Sequence, residues 1–319
     1  MLARLALAAL ATLGVLLLAS CGADQQPAPE RVTVALDFTP NAVHAPIYAA
    51  IREGHDRARG VHLQIRKPGA APDALKLIAA GRVDLGVLDI HDLGIARQSG
   101  TDLVGVAALV QRPLAALVAR ADVRRPRELE GRRVGVSGLP SDPAFVGAIV
   151  AGDGGDPRRV RHVTIGFNSV ASLISRRVDA VPVFWNAEGV ALRRRGVRTR
   201  EFRVEQFGAP PYPEVVLIAS RRTLRERRPT IRRALEAIRA GVISVTAEPE
   251  PAVREIARAA GDADHALVRA QLAAVAPLFQ PPLALDRALL ERWADFDARI
   301  GILERRPDVA RAFDFDLLR

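Results

Sequence analysis

The sequence predicts an α/β chain built as two lobes, each a mostly parallel sheet flanked by helices. Three observations predict it. Short β-rich runs alternate with helix-length stretches from Arg31 to Gln98. The same alternation restarts at Arg133 and runs to Val183, and from Arg222 to Leu318 the chain reads as almost wholly helical. Strands separated by helices of this length form βαβ units.

Arg31 to Leu36 alternates and is β-rich, so it is a first strand, and Asp37-Phe38-Thr39-Pro40-Asn41 is a turn-forming cluster. Val43 to Arg52 carries apolar residues at helical spacing and stops before Gly54. Val61 to Ile65 is a second strand, Pro72 to Ala80 a helix closed by Gly81, Val83 to Leu88 a third strand, and Asp89 to Gln98 a helix with Gly100 behind it. In the second half, Arg133 to Val136 leads through Ser137-Gly138 into a helix near Pro143 to Ala151. His162 to Ile165 leads into a helix from Ser169 to Arg176, and Val178 to Val183 follows. A Val-Asp pair stands between a helix end and a strand twice, at Val83-Asp84 and Val178-Asp179, a weak repeat that fits two lobes of similar design. The expected division is 31–118 for the first lobe, 119–214 for the second, and 215–319 for the return with its C-terminal helices. The crossings are expected near Leu117 to Asp122 and near Tyr212 to Ala219. With two lobes facing each other, the carboxyl ends of their strands line a shared cleft that closes by a hinge.

Met1 to Arg4 is a short basic start, Leu5 to Ala19 is apolar, and small residues precede Cys21, which together describe a signal peptide over 1–20. Leu18-Ala19-Ser20-Cys21 resembles the lipobox of bacterial lipoproteins, which implies a lipidated Cys21 and a chain tethered to the membrane outside the cytoplasm. The alternative is a plain transmembrane anchor, for which the apolar stretch is short. Residues 21–30 are polar and proline-bearing and read as a flexible tether. The net charge of +10 is nearly all arginine, dispersed and without interleaved aromatics; lysine occurs only at Lys67 and Lys76. That pattern is a solvated surface, and no nucleic-acid partner is expected.

Leu36-Asp37-Phe38-Thr39-Pro40-Asn41-Ala42-Val43-His44, followed by Val110-Gln111-Arg112-Pro113, Gly166-Phe167-Asn168, Trp185-Asn186-Ala187-Glu188-Gly189 and Gly208 to Glu214, resembles the solute-binding proteins of bacterial ABC importers for thiamine pyrimidine precursors. The superfamily includes the fungal synthase of that pyrimidine, riboflavin-binding relatives and sulfonate- and nitrate-binding proteins. Phe38 stands where the family often has tryptophan. The resemblance implies a two-lobed type II periplasmic-binding-protein fold, a small heteroaromatic ligand, an ABC permease as partner, a monomer, and no cofactor or metal.

A flat ring wants apolar faces, and Phe38 and Trp185 follow strands in opposite lobes, so they are the expected stacking pair. Glu188 is the leading acceptor for an exocyclic amine. Asp37, Asn41 and His44 at the end of the first strand, Asp89 and His91 after the third, Phe167 and Asn186 in the second lobe, and Tyr212 and Glu214 at the second crossover complete the expected ligand set. Each has a structural alternative. Asp37 and Asn41 shape a turn or cap a helix, Asp89 caps its helix, Glu188 answers a helix dipole, and His44, Phe167 and Trp185 are structural or core. Ser137-Gly138-Leu139-Pro140-Ser141 offers amide donors to an anion, with a tight interdomain loop as the simpler reading.

An enzyme is not expected. The fungal synthase uses pyridoxal phosphate, iron and a cysteine-rich segment, whereas Glu53 precedes Gly54 here, neither lysine falls in a matching motif, and Gly208-Ala209-Pro210-Pro211-Tyr212 stands in the cysteine-rich region. The histidines show no HExxH spacing, and there is no Gly-x-Ser-x-Gly elbow. The ligand expected is a formyl-aminopyrimidine or hydroxymethylpyrimidine, with riboflavin or a sulfonate or nitrate as alternatives.

Overall fold

A computed structural model describes residues 28–69 and 73–319. The expected signal peptide, Cys21 and residues 22–27 of the expected tether lie outside the described residues. The first half runs β1 (Glu30–Ala35), α1 (Ala45–Arg52), β2 (Val61–Arg66), α2 (Asp73–Ala79), β3 (Leu85–Asp89), α3 (Ile90–Gln98) and β4 (Leu103–Val110). The second runs β5 (Ala115–Arg120), β6 (Arg133–Val136), α4 (Asp142–Gly152), β7 (Arg161–Thr164), α5 (Ser169–Ile174), β8 (Ala180–Phe184), a π-helical turn over Trp185–Gly189, α6 (Val190–Arg194) and β9 (Thr199–Arg203). The return comprises β10 (Val215–Ser220), α7 (Arg221–Ala247), α8 (Pro249–Ala259), α9 (His265–Val275), α10 (Arg287–Arg299) and α11 (Val309–Ala312).

Two five-stranded sheets have the orders β2-β1-β3-β10-β4 and β7-β6-β8-β5-β9. In the first, β1 runs parallel to β2 and β3, and β10 is antiparallel to β3 and β4. In the second, β6 runs parallel to β7 and β8, and β5 is antiparallel to β8 and β9. The same plan is therefore used twice, with one reversed strand in each sheet. The two lobes carry the α/β architecture expected from the alternation, and the reversed strands are what periodicity did not announce.

Three strands escape the sequence reading: β4, β5 and β9. All eight residues of β4 are buried, so it shows no alternation to read. β5 belongs to the second sheet, so the chain changes sheets over residues 111–114, ahead of the crossing expected near Leu117. The C-terminal part is also less continuous than expected, with non-helical stretches at 280–286 and 301–308. The edge of β4 is covered through bridges from Leu283, in the first of these stretches, to Ala108 and from Phe313, just past α11, to Gly105. Covered edges do not template stray strand pairing.

The Val-Asp repeat has a shared structural job. Asp84 donates its amide to the Thr33 carbonyl at 3.0 Å and accepts from the Thr33 amide at 2.8 Å. Asp179 does the same with Arg133, at 2.7 and 3.1 Å. Each aspartate pins its strand to the neighbouring parallel strand, β1 in one sheet and β6 in the other. α1, α7 and α8 bury Ile47, Ile238 and Ile256 against Val34 and Leu217 of the first sheet. On the other side, Leu93 and Trp293 join Phe145 and Ile149 of the second lobe in one apolar cluster, which ties the lobes together. No described helix is long and apolar enough to cross a membrane.

Candidate ligand-binding cleft

Strand ends from both sheets converge on one cleft with an internal cavity of about 100 Å³. The first lobe lines it with Asp37, Phe38 and Asn41 after β1, and with Leu88, Asp89, His91 and Asp92 at the β3–α3 junction. The second lobe contributes Ser137, Leu139, Ser141, Asp142 and Phe145 from the β6–α4 junction, Ser169, and Pro182, Val183, Phe184, Ala187 and Glu188 from the end of β8. A crevice at the carboxyl ends of strands is where open α/β sheets bind ligands.

Local sequence explains how the first-lobe wall is held. The Asn41 side chain accepts from the Val43 amide at 2.9 Å and starts the helical turn. His44 returns the bond, its Nδ1 accepting from the Asn41 amide at 3.2 Å. That leaves the proton on Nε2, which donates to Asp37 Oδ1 at 2.8 Å. His44 is fully buried. It orients Asp37 from behind the wall and does not itself line the cleft, contrary to the ligand contact expected of it.

Five carboxyl groups face this space, those of Asp37, Asp89, Asp92, Asp142 and Glu188, and no lysine or arginine lines it among the described residues. Burial drives Asp89, Asp92, Asp142 and Glu188 above the ordinary carboxylate range. Neighbouring Asp89 and Asp142 push Asp92 further in the same direction. Asp142 is partly restrained by the donors it accepts from, chiefly Ser137.

Beneath the floor lies a buried polar network. His91 Nδ1 meets Asp297 Oδ2 at 2.8 Å and its Nε2 meets the Tyr212 hydroxyl at 3.1 Å. Burial pushes the His91 pKa down, but Asp297, Asp89 and Glu214 outweigh it and lift the pKa to about 10. Glu214 is fully buried and spans the crossover, its Oε2 accepting from the amides of Leu114 and Ala115 at 2.5 and 2.9 Å. Asp89, His91 and Glu214 bring their ligand atoms within 4.8 Å of one another, a spacing open to a cation as well as to a shared proton.

Six of the expected residues thus line the cleft: Asp37, Phe38, Asn41, Asp89, His91 and Glu188. The other six stand behind it. Trp185 does not form the far face of a stacking pair with Phe38. Its indole N–H donates to the Pro113 carbonyl at 3.2 Å, and the Arg203 guanidinium covers its ring at 4.1 Å. The neighbouring Phe184, the last residue of β8, lines the cleft instead. Phe167 packs edge-on against Phe38 from the opposite lobe, ring centroids 4.3 Å apart. Asn186 is fully buried, with no partner for its side-chain amide among the described residues. Tyr212 and Glu214 serve the network under the floor. The residues missed are chiefly Asp92, Asp142, Phe145 and Phe184. Asp92 and Asp142 sit in first helical turns after strands, the signal that singled out Asp89.

The family profile described as NMT1/THI5 like matches residues 41–252. The chain belongs to that family. Over 214 residues it is 35% identical to the formylaminopyrimidine-binding protein of Halalkalibacterium halodurans, covering 65% of each chain. It therefore spans just under two thirds of that relative's length. Over 288 residues it is 22% identical to the 4-amino-5-hydroxymethyl-2-methylpyrimidine phosphate synthase of Legionella pneumophila, covering 89% of this chain and 90% of that one. Among solved structures, the alkanesulfonate-binding protein SsuA from Xanthomonas axonopodis pv. citri, bound to MOPS, superposes with a TM-score of 0.72 at 18% identity, over 91% of this chain and 99% of that one. The family member shares that periplasmic-binding-protein fold.

Proposed function

We propose that the protein is an extracytoplasmic solute-binding lipoprotein that captures a thiamine pyrimidine precursor, of formyl-aminopyrimidine or hydroxymethylpyrimidine type, and hands it to an ABC permease. The observation that carries this reading is the lining of the cleft. Phe38, Phe145 and Phe184 supply ring faces, while five carboxyl groups supply acceptors without a compensating lysine or arginine. An aminopyrimidine matches both, with an apolar face and donor-bearing edges. The likeness to the formylaminopyrimidine-binding protein supports the same ligand class.

A sulfonate or nitrate fits poorly, because its charge meets carboxylates and finds no lysine or arginine, while both ring nitrogens of His91 are engaged by Asp297 and Tyr212. The shared fold with SsuA says nothing of the ligand at 18% identity. A synthase like the Legionella relative needs a lysine for a pyridoxal Schiff base. Lys67 instead donates to the Ala259 carbonyl at 2.6 Å, and neither it nor Lys76 lines the cleft.

The test is a thermal-shift and calorimetric screen of the full chain in detergent against pyrimidine precursors, riboflavin, taurine and nitrate. A ligand at about 100 times its Kd adds about 2.7 kcal/mol of stability. Pyrimidines alone are expected to bind, with Glu188→Gln weakening them by about tenfold or more. Binding of taurine or nitrate in place of pyrimidines overturns the reading.

A further inference from the structure

The β6–α4 junction has the form of an anion site, yet the chain fills it with its own carboxylates. Asp142, the first residue of α4, accepts from the Ser137 amide at 2.6 Å, the Ser137 hydroxyl at 2.7 Å and the Gly138 amide at 3.2 Å. Asp92 reaches across from the first lobe and accepts from the Ser141 amide at 3.2 Å. The donors that a phosphate or sulfonate would need here are already taken. What this wall offers a ligand is acceptors.

One acceptor is conspicuous. Asp92 is 1% exposed, and its Oδ2 has no hydrogen-bond partner among the described residues. A buried carboxylate oxygen in that state costs free energy until it is protonated or meets a donor. Asp142 lies close enough to disfavour charge on Asp92. A cation between them relieves the desolvation and the mutual repulsion together, and no lysine or arginine of the described lining supplies one, while the charged His91 ring is held by Asp297 and Tyr212.

The geometry points to a primary ammonium group on the ligand, seated between Asp92 and Asp142 while its ring occupies the apolar part of the cleft beside Phe38, Phe145 and Phe184. The inference rests on the pyrimidine ring of the proposed function and revises its side group, from formylamino or hydroxymethyl to a charged amine. The ligand is a cationic aminomethyl pyrimidine, in preference to a neutral formylated or hydroxymethyl one, and a phosphate ester is rejected by the same carboxylates.

Calorimetry of the full chain in detergent, with EDTA present, compares 4-amino-5-aminomethyl-2-methylpyrimidine with its N-formyl derivative and its 5-hydroxymethyl counterpart. Benzylamine serves as an ammonium that carries no pyrimidine. The amine is expected to bind about tenfold or more tighter than either neutral pyrimidine. Asp92→Asn, which matches the neutral form of the carboxyl and so preserves packing, is expected to erase that preference, and Asp142→Asn to reduce it. Neutral pyrimidines that bind as tightly as the amine, or a preference that survives in both variants, overturn the ammonium and leave the pyrimidine reading standing. Benzylamine bound while no pyrimidine binds, and lost in Asp92→Asn, keeps the ammonium and overturns the pyrimidine. Failure of all four compounds to bind overturns both.

Discussion

His91 keeps a charge where burial alone would remove it. Three carboxyl groups around it lift its pKa from 6.5 to about 10 despite the loss of water. A pKa raised on folding means stability that is full below about pH 6.5 and lost as the pH climbs through about 10. The carboxyls of Asp89, Asp92, Asp142 and Glu188 act in the same sense, since theirs are raised as well. Their contribution is full below the ordinary carboxylate range and is lost as the pH rises through the raised values. Urea unfolding of the ligand-free protein is therefore expected to show stability falling from pH 5 to pH 10, and a profile that rises over this range contradicts the assignment. His91→Gln strands Asp297 without its partner, at an expected cost of about 3–5 kcal/mol, and flattens the alkaline part of the profile.

At the level of elements, the contact between α1 and α7 depends on a missing side chain. A Cβ at Gly241 stands 2.1 Å from the Pro46 carbonyl oxygen and 2.9 Å from the Ala50 amide nitrogen. Both neighbours are backbone and cannot rotate aside. Gly241→Ala gains about 1 kcal/mol of helix propensity, but overpacking costs about 1–3 kcal/mol and more where backbone must shift. A lowered Tm is expected, and an unchanged or raised Tm would mean that the helices separate without penalty. The same scale explains the displaced aromatic. Phe184 ends β8 and Trp185 opens the π-helical turn, so which of the two meets the cleft is set by how the chain leaves the strand. Sequence distance from a motif does not encode that path. The π-helical turn that begins at Trp185 then brings Glu188 to the cleft beside Phe184.

Over the whole molecule, a basic exterior surrounds an acidic cleft. The net charge is +10, while the described lining carries five carboxyl groups and no lysine or arginine. Dispersed arginines pair with acids over the surface, as Arg125 does with Asp153 at 2.6 Å and Arg306 with Glu291 at 2.6 Å. Exposed pairs of this kind contribute little to stability. The lipobox-like start bears on the whole molecule too. If Cys21 is the lipidation site, mass spectrometry of the membrane-bound protein finds a chain that begins at Cys21 and carries a lipid on its sulfur. A membrane-bound chain that keeps residues 1–20 with an unmodified Cys21 points to a transmembrane anchor instead.

The order of strands and helices, the two-lobed plan and the gathering of acids and aromatics at strand ends are properties of short segments, and the sequence by itself determined them. β4 was not legible because a fully buried strand has no alternation, and β5 and β9 because their sheet is completed only by distant partners. The tertiary structure alone decided which members of each cluster face the ligand space. Asp92 became a wall residue by meeting Ser141 from the other lobe, and His91 took its charge from Asp297, 206 residues away. His44 and Trp185 were turned to the back by contacts with Asp37 and Pro113. Burial, pKa and orientation depend on what surrounds a side chain in space. Local pattern specifies an element, whereas its surroundings come from the rest of the chain.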